Sequence, residues 1–249
     1  MEEIPKNHPR YLSLVTREKI KQAMKDGLVH ETGLIAHGRG EAFDYLIGEK
    51  TIPLAKESEK ISAAMLLCAK NPVISVNGNV VSLVTKDIIE LADIIPAKLE
   101  VNLFHRTDER IKNLILELKK QGAKKVFGAF ADAKIPGLDS NRGLCEKEGI
   151  FSADVVLVPL EDGDRCEAMK AMGKTVIAID LNPLSRTART ADITIVDNVI
   201  RAIPNISMWI KMLKNENIET LNDMYKKWDN NKMLNDVSSF ISKRLNSLF

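Results

Sequence analysis

Between Val73 and Val196 the chain repeats one pattern, a short, largely apolar run followed by an amphipathic stripe. The runs are Val73 to Val76, Leu99 to Phe104, Val126 to Phe130, Val155 to Val158, Thr175 to Ile179 and Ile193 to Val196. Strands this short and apolar, each separated from the next by a helix, indicate a parallel sheet covered on both faces. The helical stripes are clear in two places. Val80, Leu83, Val84, Ile88 and Leu91 form one; Ile111, Leu114, Ile115 and Leu118 form the other. Thr107 suits the cap of the second helix, with Asp108 and Glu109 in its positive first turn, Lys119 and Lys120 at its end, and Gly122 beyond. Asp164, with Glu167 three residues on, is expected to cap a later helix. The expected fold is α/β, a mostly parallel sheet of about six strands flanked by helices.

The flanks differ from this core. Pro53 suits a helix first turn, Ile61, Ala64, Met65 and Cys68 continue that helix, and Asn71-Pro72 stops it. The residues before Thr51 read as helical but are interrupted by Gly33-Leu34-Ile35-Ala36-His37-Gly38-Arg39-Gly40, which reads as irregular. Helices are expected from about Pro204 onward. The organisation is one domain over 1–249, with an N-terminal helical segment over 1–70, the core over 71–215 and a C-terminal helical tail over 216–249.

Charge narrows the function. Thirty-six Lys and Arg against 34 Asp and Glu leave a formal charge of +2, with no concentrated basic face for nucleic acid or membrane. Cys68, Cys145 and Cys166 are scattered without metal spacing, and the charged start of the chain is unlike a signal peptide; both point to the cytoplasm.

Ligands of open α/β sheets bind beyond the carboxyl ends of the strands, so the residues there carry the search. Gly173-Lys174-Thr175 opens a strand instead of a helix, and Ala168 stands where a P-loop needs its first glycine. A dinucleotide fingerprint is missing as well, because Gly38-Arg39-Gly40 is followed by Phe43 and precedes the first clear strand. Asp180-Leu181-Asn182, with Ser185, Arg186 and Thr187, offers a carboxylate for ribose hydroxyls and then donors for phosphate; an ordinary polar turn explains it equally well. Asp197-Asn198 closes the next strand. Arg39 between two glycines suits a triphosphate if bare N–H groups surround it, although a solvated turn is the commoner case. His105-Arg106-Thr107 can meet a phosphate at a helix start, though Thr107 is already explained as a cap. Ala131 to Ser152 is long enough to be a functional lid. Glu161, Asp162 and Asp164 could hold Mg²⁺ or cap a helix.

Taken together, the segments resemble the archaeal phosphopantothenate synthetases, or 4-phosphopantoate–β-alanine ligases. The resemblance rests on His8-Pro9-Arg10-Tyr11, Arg17-Glu18, Gly33 to Glu49, Asn102-Leu103-Phe104, Arg106-Thr107, Ile135 to Leu138, Ala153 to Arg165, Asp180 to Ala188 and Val196-Asp197-Asn198. It runs from about residue 4 to about residue 212. It implies a Rossmann-like homodimer of coenzyme A biosynthesis that joins 4-phosphopantoate to β-alanine with ATP, releasing AMP and diphosphate. ATP contacts would fall on Arg17, Arg39, Asp180, Leu181, Asn182, Arg186, Thr187, Asn198 and Val199. Arg39, His37 and Arg17 are the catalytic candidates. Arg106 and His105 are the candidates for the substrate phosphate, and Mg²⁺ is expected with the nucleotide. Two other classes share the sheet, a nicotinamide-dependent oxidoreductase and a non-catalytic nucleotide-binding protein.

Overall fold

The computed structural model describes residues 4–139 and 141–248; Ser140, part of the long connection, lies outside them. Six strands form one parallel sheet: β1 (Val73–Val76), β2 (Lys98–Val101), β3 (Val126–Phe127), β6 (Val155–Pro159), β7 (Thr175–Ile179) and β8 (Ile193–Ile195). The long connection carries a separate antiparallel pair, β4 (Ala133–Lys134) with β5 (Leu144–Cys145). The order across the main sheet is β3-β2-β1-β6-β7-β8. The direction of winding therefore reverses between β1 and β6, which opens a crevice beyond their carboxyl ends.

Both faces of the sheet are buried, which is why its strands read as continuous apolar runs. Ile74, Leu157, Ile177 and Ile179 face one core, and Val73, Val156, Val158 and Val176 face the other. Helices α3 (Pro53–Cys68), α4 (Gly78–Ile94), α5 (Asp108–Lys120) and α8 (Val199–Leu213) contribute to the first core, and α6 (Gly163–Ala171) to the second. Helix α5 follows its sequence signals: Thr107 accepts from Arg110 N at 3.3 Å, and Ile111, Leu114, Ile115 and Leu118 are buried.

At the N-terminal end, α1 (Tyr11–Lys25) packs on α4, and α2 (Glu31–Ile47) lies at the sheet's carboxyl edge. The segment Gly33 to Gly40 is not irregular but forms the body of α2. His30 caps the helix by accepting from Thr32 N, and 17 residues of α-helix absorb the poor propensity of three glycines. The N–H groups around Arg39 are thus spent within the helix and are not bare. Of the three glycines, Gly33 has a packing role: a Cβ there would sit 2.6 Å from Asn79 Oδ1. Behind α2 and α3, α10 (Asn230–Asn246) packs Met233, Leu234 and Val237 against Ile47 and Ile52. The remaining helices are α7 (Arg186–Thr190) and α9 (Ile218–Lys226).

Other expectations also shift. β2 ends at Val101 instead of Phe104, and β3 at Phe127 instead of Phe130. Gly128 ends β3 with φ +118°, pressed against the Val101 backbone. β8 stops one residue early, at Ile195. Helix α6 is capped at Asp162, without a side-chain bond, and not at Asp164; the two carboxylates turn to arginines instead. Helix α8 begins at Val199, five residues before Pro204, so the proline lies inside it and removes one helical donor.

Two glycines give opposite expectations. Nothing lies within 4 Å of a Cβ built on Gly38. Gly38→Ala should raise stability by about 0.5–1 kcal/mol through helix propensity alone. A Cβ on Gly78 would overlap the Leu28 carbonyl oxygen, which is backbone and cannot swing away. Gly78→Ala should lose about 1–3 kcal/mol. Thermal melts of the two variants should move in opposite directions from wild type.

Candidate functional site

The crevice at the switch point is a cleft of about 650 Å³, within the range of small-molecule sites. Its walls come from four places. The ends of β7 and β8 supply Asp180, Leu181, Asn182, Ser185, Arg186, Thr187, Asn198 and Val199. The ends of β1 and β2 supply Asn77, Asn79, Asn102 and His105. The end of β6 supplies Glu161 and Asp162, and α2 lies over the opening with His37, Arg39 and Glu41. Ten of the twelve site residues chosen from the sequence thus meet around one cavity; Arg17 and Arg106 are not among its lining residues.

Local sequence explains the β7 wall. Asp180 ends its strand, and its carboxylate accepts from Asn182 N at 2.9 Å and from the Ser185 hydroxyl at 2.5 Å. Burial pushes the Asp180 carboxyl up, while these two bonds and the charge of Arg39 pull it back. Ser185 also caps α7 by accepting from Ala188 N. Thr187 is tied down by donating to the Glu161 carbonyl at 2.9 Å. Asn198 caps α8 by accepting from Ile200 N, and its amide donates to Asp44 Oδ2 at 2.9 Å.

The cations of the cleft differ in how they are engaged. Arg186 is ion-paired with Asp164. Arg110, at the β2 side, donates to the carbonyls of His105 and Leu28. Among the described residues Arg39 has no ion-pair partner, and it stays exposed on α2. His37, also on α2, is half-buried, and burial pushes its imidazole down toward the neutral form. His30 and His105 stack with ring centroids 4.3 Å apart.

Arg17 reaches the site only through Glu41. Its guanidinium makes a forked pair with that carboxylate, Nη2 to Oε2 at 2.8 Å and Nε to Oε1 at 3.0 Å. Burial pushes Glu41 up, but the bonds from Arg17 and Ser13 outweigh it and hold the carboxyl below its usual range. Arg106 donates to the Gly128 carbonyl at 2.7 Å, on the β3 side of the sheet. Glu161, Asp162 and Asp164 face Arg165, Arg142 and Arg186 respectively. Carboxylates already neutralised in this way do not fit a protein-held Mg²⁺, and no group of three metal-ligating side chains occurs among the described residues. Thiol chemistry is also disfavoured, since burial pushes Cys145 up to about 11 and Cys166 up to about 12.

Six of these wall residues escaped the sequence reading, Asn79 and Glu41 among them. Arg110 looked like helix surface, and His30 has no local signal. Asn102 fell inside an expected strand. Asn77 was not singled out, although its place just past β1 was itself a signal.

A parallel sheet with a polar, cation-bearing cleft at its switch point places the chain among the α/β proteins that take a small ligand beyond their strand ends. The chain belongs to the phosphopantothenate/pantothenate synthetase family, whose model matches residues 54–244. It is 53% identical over 249 residues to the 4-phosphopantoate–β-alanine ligase of Thermococcus onnurineus, covering all of this chain and 95% of that one. The ligase of the same description from Thermococcus kodakarensis is 52% identical over the same length, with 95% of it covered. That of Methanosarcina mazei is 50% identical over 248 residues, with 98% of it covered. The similarity therefore extends through α9 and α10, beyond the segments that carried the resemblance in the sequence.

Proposed function

We propose that the cleft converts the carboxylate of 4-phosphopantoate to an acyl-adenylate and passes the acyl group to β-alanine. Family membership makes the chain a 4-phosphopantoate–β-alanine ligase of coenzyme A biosynthesis, which removes the oxidoreductase and the non-catalytic alternatives. The finer reading rests on one observation: Arg39, Asp180, Asn182, Arg186 and Asn198 converge on a single cleft.

A carboxylate is a poor acyl donor at neutral pH. In the first step its oxygen bonds to the α-phosphorus of ATP, the bond to the bridging oxygen breaks, and diphosphate leaves. The amine then attacks the acyl carbon, AMP leaves, and one proton is lost. The β7–β8 side suits the nucleotide. Asp180 can accept from ribose hydroxyls, Asn182, Thr187 and Asn198 can orient base or sugar, and Leu181 and Val199 pack against them. Arg186 and Arg39 face the phosphates. Two anions must meet here, and an unpaired guanidinium on the wall offsets their repulsion as charge shifts to the leaving diphosphate. Mg²⁺ would come bound to the triphosphate's own oxygens.

The β1–β2 side suits phosphopantoate. His105 and Arg110 lie close to the start of α4, whose dipole favours a phosphate. Arg106 joins them only if it leaves Gly128. His37, held toward its neutral form, can take the proton that β-alanine must lose. Arg17 acts by holding Glu41 on the cleft wall. Exposed Leu12 on α1 and Ile35 on α2 support a homodimer formed through this end, and the free, scattered cysteines support a cytoplasmic location. No described helix is long and apolar enough to cross a membrane.

The test is product analysis with ATP, 4-phosphopantoate and β-alanine. AMP and diphosphate should appear in equal amounts with the amide. Diphosphate exchange into ATP should need 4-phosphopantoate but not β-alanine. Release of ADP and phosphate would overturn the adenylate route.

A further inference from the structure

Behind the nucleotide wall lies a buried polar network that no step above uses. Arg201, on the first turns of α8, donates from Nε to Asp197 Oδ1 at 2.8 Å and from Nη1 to Asp44 Oδ2 at 3.1 Å. Its Nη2 reaches both carboxylates at 2.5 Å. The Asp44 and Asp197 side chains are 8% and 0% exposed, so one guanidinium holds two desolvated anions. Asp44 is on α2, five residues after Arg39. The same Asp44 Oδ2 accepts from the Asn198 amide at 2.9 Å. Asp197 in turn accepts from the Thr51 hydroxyl at 2.6 Å, ahead of α3. The network thus joins the helix that carries His37 and Arg39 to the end of β8 and the start of α8.

We propose that Arg201 is a positioning residue for the ligase reaction. By gripping Asp44 and Asp197 it fixes the rotation and depth of α2 over the cleft, and so places Arg39 and Asn198 relative to the nucleotide. This rests on the reading that the β7–β8 side of the cleft takes ATP. A packed helix with an apolar face can slide or rotate at small cost, whereas a forked pair to two fixed carboxylates defines both angle and distance. Purely structural ion pairs of this kind would support the fold without favouring one substrate over another. The arrangement here predicts selectivity, since the network bonds directly to Asn198 of the proposed ATP side and to no residue of the β1–β2 side.

The experiment compares wild type with Arg201→Lys, which keeps the charge but loses the fork, and with Asp44→Asn. Steady-state kinetics are measured separately against ATP, 4-phosphopantoate and β-alanine, and each variant is also made with Arg39→Ala. Expected is a rise of at least about 10-fold in KM for ATP, with KM for β-alanine within about 2-fold of wild type, on the scale of a misplaced contact. In the Arg39→Ala background the Arg201→Lys loss should shrink, because both changes remove the same placement. An unchanged KM for ATP in folded Arg201→Lys overturns the proposal, as does an equal rise for all three substrates. If Arg201→Lys does not fold, Asp44→Asn decides by the same criteria, since it leaves the Arg201–Asp197 pair in place. Near wild-type turnover in Arg39→Ala alone would overturn the triphosphate role of Arg39 and leave the ATP selectivity of the Arg201 variant to be judged by itself.

Discussion

Arg39→Ala should fold like wild type and lose turnover by a factor of at least about 100, the scale of one charged transition-state contact. Its side chain is exposed on α2 and has no ion-pair partner among the described residues. Alanine is a better helix former than arginine, so the melt should stay within about 0.5 kcal/mol of wild type. The other cleft arginines are less free: Arg186 is paired with Asp164, and Arg110 is tied to two carbonyls. Arg39 is the guanidinium that can be given wholly to substrate. Arg39→Lys should restore only part of the rate, because a point charge does not reproduce the fork. The measurement is AMP release by the three proteins, with melts alongside. A folded Arg39→Ala enzyme with near wild-type turnover would leave the nucleotide site resting on the Asp180 wall.

The sheet was legible because its signals are local. Alternating apolar runs and capped stripes are written in consecutive residues, and Thr107, Lys119 and Lys120 sit where helix electrostatics favours them. Strand ends were less legible. Phe104 and Phe130 are apolar enough to extend a strand, yet both are exposed on the surface. What stops β3 is a tertiary contact, the press of Gly128 on Val101. The same limit explains α2. Three glycines in eight residues look like a loop, and the contact that calls for one of them, the approach of Asn79 to Gly33, is long-range. For the site, the residues just past β7 and β8 could be found by the switch-point rule. Arg110 and His30 could not, since each enters the cleft from an element whose sequence marks it as surface. The resemblance supplied Arg17, which no local pattern marks, and agreed with Arg39, which Gly38-Arg39-Gly40 already suggests; the geometry refines that by placing Glu41 between Arg17 and the cleft.

The largest effect on stability should come from Glu59, at the far end of the network that holds Arg201. The residue is fully buried on α3. Its Oε1 accepts from Asn205 Nδ2 at 3.0 Å, while Oε2 is buried without a hydrogen-bond partner. Burial pushes its carboxyl up to about 8, helped by the charge of Asp197 and opposed by Asn205, Lys56 and Arg201. In the unfolded chain the same group ionises near the ordinary glutamate value of 4.5. Below that pH it is protonated in both states and costs nothing. Between 4.5 and about 8 the folded protein holds a proton that the unfolded chain has released, so stability falls as pH rises. Above about 8 both states are ionised and the loss is complete. At about 1.4 kcal/mol per pH unit the whole loss is on the order of 3–5 kcal/mol. Glutamine keeps the Oε1 acceptor and removes the titration. Glu59→Gln should therefore match wild type within about 1 kcal/mol near pH 5. It should become more stable than wild type as pH rises, with the gap reaching a plateau near pH 9. Denaturant titrations of both proteins at half-unit steps across this range would give the difference directly. A gap that stays constant with pH would mean that Glu59 ionises in the folded protein at an ordinary carboxylate pH, stabilised by Arg201 through the Asn205–Thr51–Asp197 chain.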